Sequence, residues 1–482
     1  MAKIKKAWFC TACGNESAKW MGKCPACGEW NTMVEEIVSK EDEGSATSRN
    51  RAFLEISAQT PQPLHEISTG NETRITLGNN ELDRVLGGGL VEGSLALIGG
   101  EPGIGKSTLS LQIPLHCKHL KTLYVSGEES TRQIKLRADR LAPRAAQVKA
   151  ATTIAATAAA TTATDTSAPD FDNCLILSET LLENILKQAK ETKPQLLIID
   201  SIQTIYSQNI DSSAGSVSQV RECAASLLRY AKESNTPVIL IGHITKDGSI
   251  AGPKILEHIV DVVLQFEGDT RHSYRILRSI KNRFGSTAEL AVYEMTSGGL
   301  EEILNPSEMF IPMHDNNLSG TAVAAMLDGT RPFLIEIQAL VSTAAYGTPQ
   351  RSATGFDVRR MNMLLAVLEK RVGFKLAQKD VFLNMAGGLK VSDPACDLAV
   401  VASILSSNFD VTLSNDIAFA GEIGLSGEIR PVSQIERRIT EAAKLGFKQI
   451  FVSSFSKIPV GLEKGIAIKE VANIQELVKA IF

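Results

Sequence analysis

Four cysteines near the N-terminus have the types and the spacing of a metal site. Cys10 and Cys13 form one CxxC pair, Cys24 and Cys27 form a second pair after ten intervening residues, and a glycine follows each pair. Two such pairs can place four thiolates around one Zn²⁺ ion, and so short a segment has no room for a hydrophobic core of its own. We therefore predict a structural zinc ribbon, with redox-active or incidental cysteine pairs as the alternative.

Two tryptophans, Trp20 and Trp30, flank the second cysteine pair. An indole ring can fill the interior of a small ribbon, or it can form a platform on which nucleic-acid bases stack. Packing inside the ribbon is the interpretation that the sequence favours.

A glycine-rich segment, GGEPGIGKST at residues 99–108, stands between an apolar strand-like run and a helix-like run. This is the context of a phosphate-binding loop. Its glycines let backbone N–H groups turn towards phosphate oxygens, Lys106 neutralises phosphate charge, and the Ser107 hydroxyl helps to hold Mg²⁺. The residues predicted to bind ATP and Mg²⁺ in this loop are Gly100, Glu101, Pro102, Gly103, Ile104, Gly105, Lys106, Ser107 and Thr108.

Carboxylates end two later strand-like runs, TLYVSGEES and PQLLIIDSIQT. Asp200, at the end of the second apolar run, is predicted to hold the magnesium ion through water, as a strand-end carboxylate does in such ATPases. Glu128 is predicted to polarise the attacking water, and Glu129 is the competing assignment. Either glutamate could instead cap the N-terminus of a helix.

A fourth apolar run, in TPVILIGHITKDG, ends at His243. A polar side chain at this place could sense the γ-phosphate of ATP, whereas a lone histidine can also be purely structural. Both roles stay open, and His243 is kept among the catalytic candidates.

The stretch RSIKNRFGS, residues 278–286, brings two arginines and a lysine into six positions. Such a cluster can be a solvated turn, or its cations can reach a negatively charged group. Lys281 and Arg283, two residues apart after a strand-like run, are the candidates for the second role.

The elements that must position these groups are the strands of one parallel sheet. Ligands of such sheets bind at the edge formed by the carboxyl ends of the strands, where the glycine-rich loop, both carboxylates and His243 are predicted to lie. Two loops that contain glycine and serine, 212–222 and 245–261, leave the same edge. The sequence therefore predicts an α/β fold with a nucleotide site at this edge.

Composition and charge limit what the whole chain can be. Its 482 residues suffice for about three domains. A net charge of -4 and a pI near 6.1 give no global nucleic-acid signature, so such binding must come from local basic patches. We expect a cytoplasmic protein, because the N-terminus lacks the apolar stretch of a signal peptide and no run could span a membrane. Four further cysteines are predicted to be ordinary buried thiols: Cys117, Cys174, Cys223 and Cys396.

The motifs CTACG…CPACG, GGEPGIGKST, YVSGEES, LLIIDSIQT, GSVSQVRE, GHITKDGSIAGPKILEHIVD and KNRFG together resemble those of the bacterial RadA/Sms family of recombination and repair proteins. The resemblance runs nearly end to end. It implies a RecA-like ATPase core whose two loops face a central channel and grip single-stranded DNA. It also implies a ring, expected to be hexameric, in which Lys281 and Arg283 project into the neighbouring subunit's nucleotide site and stabilise the phosphoryl-transfer transition state.

The last third of the chain alternates strand-like and helix-like runs and resembles the Lon protease domain. An active member needs a serine nucleophile and a lysine base, but here the serine position holds Ala395 and the lysine position holds Glu436. Cys396 has no histidine or lysine evident beside it, so we expect no proteolysis. The domain is then a scaffold for the ring, with a basic surface that faces either DNA phosphates or solvent at Arg351, Arg359, Arg360, Lys370 and Arg371.

These observations predict a four-cysteine zinc ribbon at 1–33, a flexible linker at 34–63, a RecA-like ATPase at 64–297 with a low-complexity insertion at 145–170, and an inactive Lon-protease-like domain at 298–482. The implied function is that of a DNA-stimulated ATPase, a helicase-like motor that processes single-stranded and branched DNA alongside a RecA-type recombinase. Two other functions stay open: an ATP-dependent regulator or kinase of the circadian-clock type, and a scaffold whose zinc ribbon recruits partners.

Overall fold

The computed structural model describes residues 4–10, 15–40, 73–141, 171–243, 256–268, 274–311, 318–344, 349–459, 461–462 and 465–482. The chain divides into two compact units, Met1–Ile303 and Leu304–Phe482. Three features named above lie outside the described residues: Cys13, the insertion at 145–170, and the part of the 245–261 loop up to residue 255.

A three-stranded antiparallel sheet forms at the N-terminus, where β1 (Ile4–Cys10) pairs with both β2 (Glu16–Ser17) and β3 (Met33–Lys40). The predicted linker at 34–63 is therefore wrong for residues 34–40. The sequence VEEIVSK contains several β-branched residues, which favour a strand once a partner such as β1 is available. The rest of that predicted linker, from residue 41, falls outside the described ranges.

A nine-stranded sheet forms the centre of the first unit, accompanied by a short pair, β4 (Arg74–Ile75) and β5 (Leu90–Val91). In chain order its strands are β6 (Leu95–Gly100), β7 (Thr122–Ser126), β8 (Cys174–Ser178), β9 (Leu196–Asp200), β10 (Val238–His243), β11 (Val262–Glu267), β12 (Tyr274–Asn282), β13 (Leu290–Thr296) and β14 (Gly299–Glu302). Their order across the sheet is β14-β13-β12-β11-β6-β10-β9-β7-β8. The strands β6 to β11 are parallel, as predicted, and β12 to β14 extend the sheet in antiparallel fashion.

Helices cover both faces of this sheet. They are α1 (Asn80–Leu86), α2 (Lys106–His116), α3 (Thr131–Leu141), α4 (Leu182–Thr192) and α5 (Val217–Ser234). Alternate residues of β6 belong to different hydrophobic cores, because successive side chains of a strand point to opposite faces. Ile98 joins the core under α1, α2 and α3, and Leu97 joins the core under α4 and α5.

The strand register brings the predicted site residues to one edge of the sheet. Ser126 on β7 lies opposite Asp200 on β9, and His243 on β10 lies opposite Gly100 on β6. The antiparallel strand β12 ends at the other edge, where Asn282 pairs with Val262. The carboxyl-end groups therefore share one edge, and the KNRFG stretch leaves the opposite one.

A seven-stranded sheet organises the second unit. Its strands along the chain are β15 (Thr321–Asp328), β16 (Arg331–Thr343), β17 (Arg351–Thr354), β18 (Lys379–Met385), β19 (Ile417–Ala420), β22 (Gln449–Ser453) and β23 (Ala467–Val471), and a separate pair is formed by β20 (Glu422–Ile423) and β21 (Ile429–Arg430). The order across the sheet is β17-β18-β16-β15-β19-β22-β23. The helices are α6 (Ser307–Phe310), α7 (Val358–Val367), α8 (Asp397–Phe409), α9 (Ile435–Lys444) and α10 (Ile474–Ile481). Within the ranges given above, every helix is too short or too polar to span a lipid bilayer.

Candidate nucleotide and metal sites

The glycine-rich loop joins β6 to α2 in the predicted strand–turn–helix context. Gly105, which precedes α2, has φ +116°, a conformation that side chains rarely adopt. Lys106 is buried, and its Nζ donates to the carbonyl oxygens of Gly100 and Glu101, each at 2.9 Å. Burial lowers the pKa of Lys106 to about 8, an effect that the nearby carboxylates of Asp200 and Glu128 oppose. The lysine is thus folded back over its own loop.

His243 lies between the loop lysine and a carboxylate. Its Nδ1 is 3.2 Å from Lys106 Nζ, and its Nε2 is 3.3 Å from Glu128 Oε1. The backbone carbonyl of His243 accepts from the Gln203 amide at 3.4 Å. The histidine therefore connects the phosphate-binding loop with the end of β7, and its role as a γ-phosphate sensor stays a prediction.

The two competing glutamates point to different partners. Glu128 turns towards Ser201 and His243, whereas Glu129 forms an ion pair with Arg137 on α3. The Ser130 hydroxyl, rather than either carboxylate, accepts a hydrogen bond from the backbone N–H of Gln133 in the first turn of α3, at 3.4 Å. This geometry favours Glu128 for chemistry on the nucleotide and gives Glu129 a structural partner.

Asp200 ends β9 as predicted and is almost fully buried. The Tyr124 hydroxyl donates to Asp200 Oδ2 at 2.6 Å, and burial, together with the charge of Asp200, holds the pKa of Tyr124 well above 10. The half-buried Ser107 supplies a hydroxyl at the start of α2. A hydroxyl and a carboxylate are oxygen ligands of the kind that Mg²⁺ prefers beside substrate phosphates, so the residues present fit the ion.

The N-terminal cysteines converge as the spacing predicts. The Sγ atoms of Cys10, Cys24 and Cys27 lie within 4.8 Å of one another, and those of Cys10 and Cys27 are 3.7 Å apart. Sulfurs in a tetrahedron with zinc–sulfur bonds of about 2.3 Å are about 3.8 Å apart. Gly28 has φ +76° and donates its N–H to the Cys24 carbonyl at 2.9 Å, which turns the backbone around the site. Three cysteine sulfurs are thus in place for Zn²⁺, and the predicted fourth ligand, Cys13, lies outside the described residues.

The favoured interpretation of the two tryptophans is wrong. Trp20 is 55% exposed and Trp30 is 67% exposed, so neither fills the ribbon. Trp8 instead packs against the small core of Cys10, Cys24 and Met33. Lys23 lies over the Trp30 ring at 5.6 Å from its centroid. The ribbon surface therefore presents two indoles and a cation to solvent.

Lys281 and Arg283 contact groups of their own chain, at the edge of the sheet opposite the phosphate-binding loop. Lys281 Nζ donates to the carbonyls of Glu257 at 2.6 Å and Val260 at 2.9 Å. The pKa of Lys281 is lowered, mainly by burial and also by the positive charge of Arg283. Arg283 pairs with Asp261 at 3.2 Å, while 55% of its side chain stays exposed. Its backbone is level with the start of β6, so the length of that strand, about 16 Å, separates it from its own loop.

The first predicted DNA loop is shorter than the sequence suggested, because Val217 already begins α5. The buried Gln219 shapes what remains by donating to the carbonyls of Ser207, Ile210 and Ser212 at 2.9 to 3.0 Å. Residues around Gly215 stay exposed at the carboxyl edge of the sheet.

The two positions predicted to correspond to the serine and the lysine of a Lon-type site hold Ala395 and Glu436. Ala395 is fully buried, Glu436 is exposed, and burial raises the pKa of the Cys396 thiol well above 9. A buried ion pair occupies this region instead. Arg438 Nη1 donates to Asp393 Oδ2 at 2.6 Å and to the Ala325 carbonyl at 2.8 Å.

Family models match three parts of the chain. The model of the KaiC ATPase matches residues 75–302, the model of the rubredoxin metal binding domain matches residues 8–35, and the model of subunit ChlI of Mg-chelatase matches residues 340–455. Each match falls on a segment whose type was predicted from the sequence.

Similar proteins of known name extend over the whole chain. DNA repair protein RadA of Bacillus subtilis (strain 168) is 47% identical over 484 residues, which cover 99% of this chain and 99% of that protein. The chain belongs to the RadA family. RadA of Listeria monocytogenes is also 47% identical, with 99% of each chain covered, and RadA of Synechocystis sp. is 46% identical, with 94% of this chain and 90% of that protein covered.

Two solved structures are similar to part of this RadA-family chain. A KaiC-like protein from Pyrococcus horikoshii OT3 has 20% identity and a TM-score of 0.36, over 48% of this chain and 99% of that one. The RadB recombinase has 20% identity and a TM-score of 0.34, over 47% of this chain and 99% of that one. The confirmed organisation is that of the RadA relatives: a zinc ribbon that uses Zn²⁺, a RecA-like ATPase that uses ATP and Mg²⁺, and a Lon-like C-terminal domain.

The basic residues of this RadA-family protein's second unit do not form a uniform set. Arg360 pairs with the buried Asp397 and with Glu422, and Arg351 donates to the Asn362 side chain at 2.9 Å. The other three are exposed: Arg359, Lys370 and Arg371. Only these three match the predicted surface for DNA phosphates, and that role stays a prediction.

Sequence reasoning missed three residues in this member of the RadA family. Tyr124 and Ser201 contact the site carboxylates, and the buried Arg438 pairs with Asp393, two residues before Ala395. A hydroxyl directly after the acidic end of a strand is a weak signal that could have suggested Ser201. No pattern in the sequence distinguishes Tyr124 or Arg438 from ordinary core and helix residues.

Proposed function

We propose that this protein is an ATP-driven motor that acts on single-stranded and branched DNA in recombination and repair. One observation carries the proposal: Lys106, Glu128 and Asp200 lie at one edge of the nine-stranded sheet, and Lys281 and Arg283 lie at the other. Each chain thus offers half of a nucleotide site at either edge. This arrangement suits a ring in which hydrolysis in one subunit is coupled to its neighbour.

Hydrolysis of ATP follows from the groups at the carboxyl edge. The carboxylate of Glu128 accepts a proton from water while the water oxygen bonds to the γ-phosphorus. The bond from that phosphorus to the β–γ bridging oxygen breaks, and its electron pair leaves with ADP. Lys106 turns from its own carbonyls to the phosphates, and Ser107 and Asp200 would hold Mg²⁺, which neutralises phosphate charge when bound.

The residues at the opposite edge complete the site in the next subunit. Arg283 is exposed and too far from its own loop to act there, so its cation serves a neighbour's transition state. Lys281, two residues earlier in the chain, contributes a second positive charge to the same neighbouring site. The ring is expected to be hexameric.

DNA is the substrate that fits the remaining features. The exposed loop around Gly215 leaves the carboxyl edge, Trp20, Trp30 and Lys23 offer stacking and charge on the ribbon, and the curated relatives are named DNA repair proteins. A RecA-type recombinase is the expected partner. Reduced zinc thiolates and a DNA substrate fit a cytoplasmic location.

The second unit serves as a scaffold rather than as a protease. Ala395 has no nucleophilic group, Glu436 lacks the lysine amine of a Lon-type site, and Cys396 is a buried thiol with a raised pKa. The second unit then offers contacts to DNA phosphates through three exposed cations, Arg359, Lys370 and Arg371.

A second candidate function is that of an ATP-dependent regulator or kinase, because the KaiC model matches residues 75–302. Strand displacement on a forked DNA with a fluorescent label separates the two. We expect displacement with ATP and none with a non-hydrolysable analogue. Hydrolysis that DNA does not stimulate, without displacement, would favour the regulator.

A further inference from the structure

Ser201 directly follows the magnesium-site aspartate and is fully buried. Its Oγ donates to Glu128 Oε1 at 2.6 Å, from the neighbouring strand end. The Thr204 hydroxyl donates to the Ser201 carbonyl at 2.8 Å and fixes the turn that carries the serine. A short hydrogen bond between a buried donor and a carboxylate restricts the orientation of the carboxylate.

The two oxygens of Glu128 have different surroundings. Oε1 receives the Ser201 hydroxyl and faces His243 Nε2, whereas Oε2 has no hydrogen-bond partner among the residues that the structure describes. Glu128 keeps 45% of its side chain exposed, so packing alone does not immobilise it. One oxygen is therefore anchored, and the other is free to accept from water.

We propose that Ser201 is a positioning residue for Glu128: it anchors Oε1 so that Oε2 meets the attacking water. The inference rests on the proposed function, in which Glu128 accepts the proton of that water. The serine itself touches neither ATP nor water. Its effect is on the rate of the chemical step and not on nucleotide binding, which Lys106 and the loop amides provide.

The test compares Ser201→Ala with Ser207→Ala. Ser207 is a matched control, because it is also a buried serine and its Oγ donates to Glu183 Oε1 at 2.5 Å, a carboxylate on α4 that takes no part in the site. We expect Ser201→Ala to lower kcat roughly tenfold to a hundredfold, the range of a hydrogen bond to a charged group. KM for ATP, and the affinity for a fluorescent ATP analogue, should match those of Ser207→Ala.

A double variant shows whether the serine acts through the glutamate. In a Glu128→Gln background, Ser201→Ala should cause little further loss of the residual turnover, measured by release of radiolabelled phosphate. Ser201→Thr, which keeps the hydroxyl, should retain most of the activity.

Three results would overturn the inference: a kcat equal to that of the control, an equal loss in the Glu128→Gln background, or a loss of nucleotide binding that matches the loss of turnover. The proposed function fails separately. If Glu128→Gln alone hydrolyses ATP at the parent rate, Glu128 is not the base and both ideas fall. If Glu128→Gln is inactive while Ser201→Ala is normal, only the role of Ser201 is wrong.

Discussion

Tyr124 donates its hydroxyl proton to Asp200 Oδ2 at 2.6 Å, between two strands of the sheet that lie side by side. Both side chains are buried, so the hydrogen bond holds one oxygen of the carboxylate and leaves the other for a ligand. Tyr124→Phe keeps the ring and deletes only the donor. A hydrogen bond to a charged group contributes about 1.5–3 kcal/mol to the stability of the arrangement that it holds.

We therefore expect Tyr124→Phe to fold normally but to need about tenfold more Mg²⁺ for half-maximal ATP hydrolysis, because Asp200 is less well oriented. Magnesium titrations of the steady-state rate measure this. Tyr230→Phe, at another buried tyrosine of the same unit, is the control. An unchanged magnesium requirement would mean that the Tyr124 hydrogen bond does not orient Asp200 for the ion.

Arg283→Ala should leave ATP binding intact, because Lys106 and the loop belong to the other edge of the sheet. Turnover should fall by a factor on the order of 10³ to 10⁵, as for other arginines supplied in trans. Arg278→Ala is the control, since Arg278 lies on β12, the strand that Arg283 directly follows, and pairs with Glu267.

Mixed assemblies test whether this arginine acts on a neighbour. Subunits with Lys106→Ala keep Arg283, and subunits with Arg283→Ala keep the loop, so a mixture rebuilds one complete site where they meet in the right order. Some hydrolysis should return. Assembled mixtures that stay as inactive as either variant would show that Arg283 does not act across the interface.

Zinc should be present at one ion per chain and should depend on the converging cysteines. Cys24→Ser removes one of the three sulfur atoms that lie within 4.8 Å of one another, so the variant should lose its zinc while ATP binding persists. Metal analysis of untagged, reduced protein measures the ion, and Cys117→Ser is the control with a cysteine outside the ribbon. A parent protein without zinc would contradict the assignment.

The Cys396 thiol should be inert in the folded protein. Burial raises its pKa well above 9, so at pH 8 the group is protonated and lacks the thiolate that reacts. Mass spectrometry after iodoacetamide treatment should find Cys396 modified only in unfolded protein.

The protein should also show no proteolytic activity, so casein incubated with it should stay intact with every nucleotide. Cleavage that disappears in Cys396→Ala would refute the scaffold role.

The sequence predicted the groups whose chemistry depends on local spacing. The CxxC pairs, the loop around Lys106, and the strand ends at Asp200 and His243 need only a few adjacent residues to be recognised. The loop around Lys106, Asp200 and His243 could also be placed together, because they follow or end the parallel strands β6, β9 and β10, and such strands end at one edge of a sheet.

Features that depend on tertiary contacts could not be predicted. Ser201 and Tyr124 acquire their partners through the register of neighbouring strands, which single-sequence patterns do not encode. The choice between Glu128 and Glu129 depends on where Arg137 lies. Trp30 was wrongly predicted to be inside the ribbon because its size suggested packing, while Trp8 takes that place.

Lys106 and Arg283 lie on opposite edges of one sheet, and under the proposed role of Arg283 in a neighbouring site this separation makes ATP hydrolysis a property of assembled chains. The proposal then requires head-to-tail contacts between chains, and such contacts generate either a closed ring or an open filament. Hydrolysis per chain should then rise with protein concentration and vanish on dilution. A DNA or protein surface that binds several chains side by side would therefore activate ATP hydrolysis by raising their local concentration.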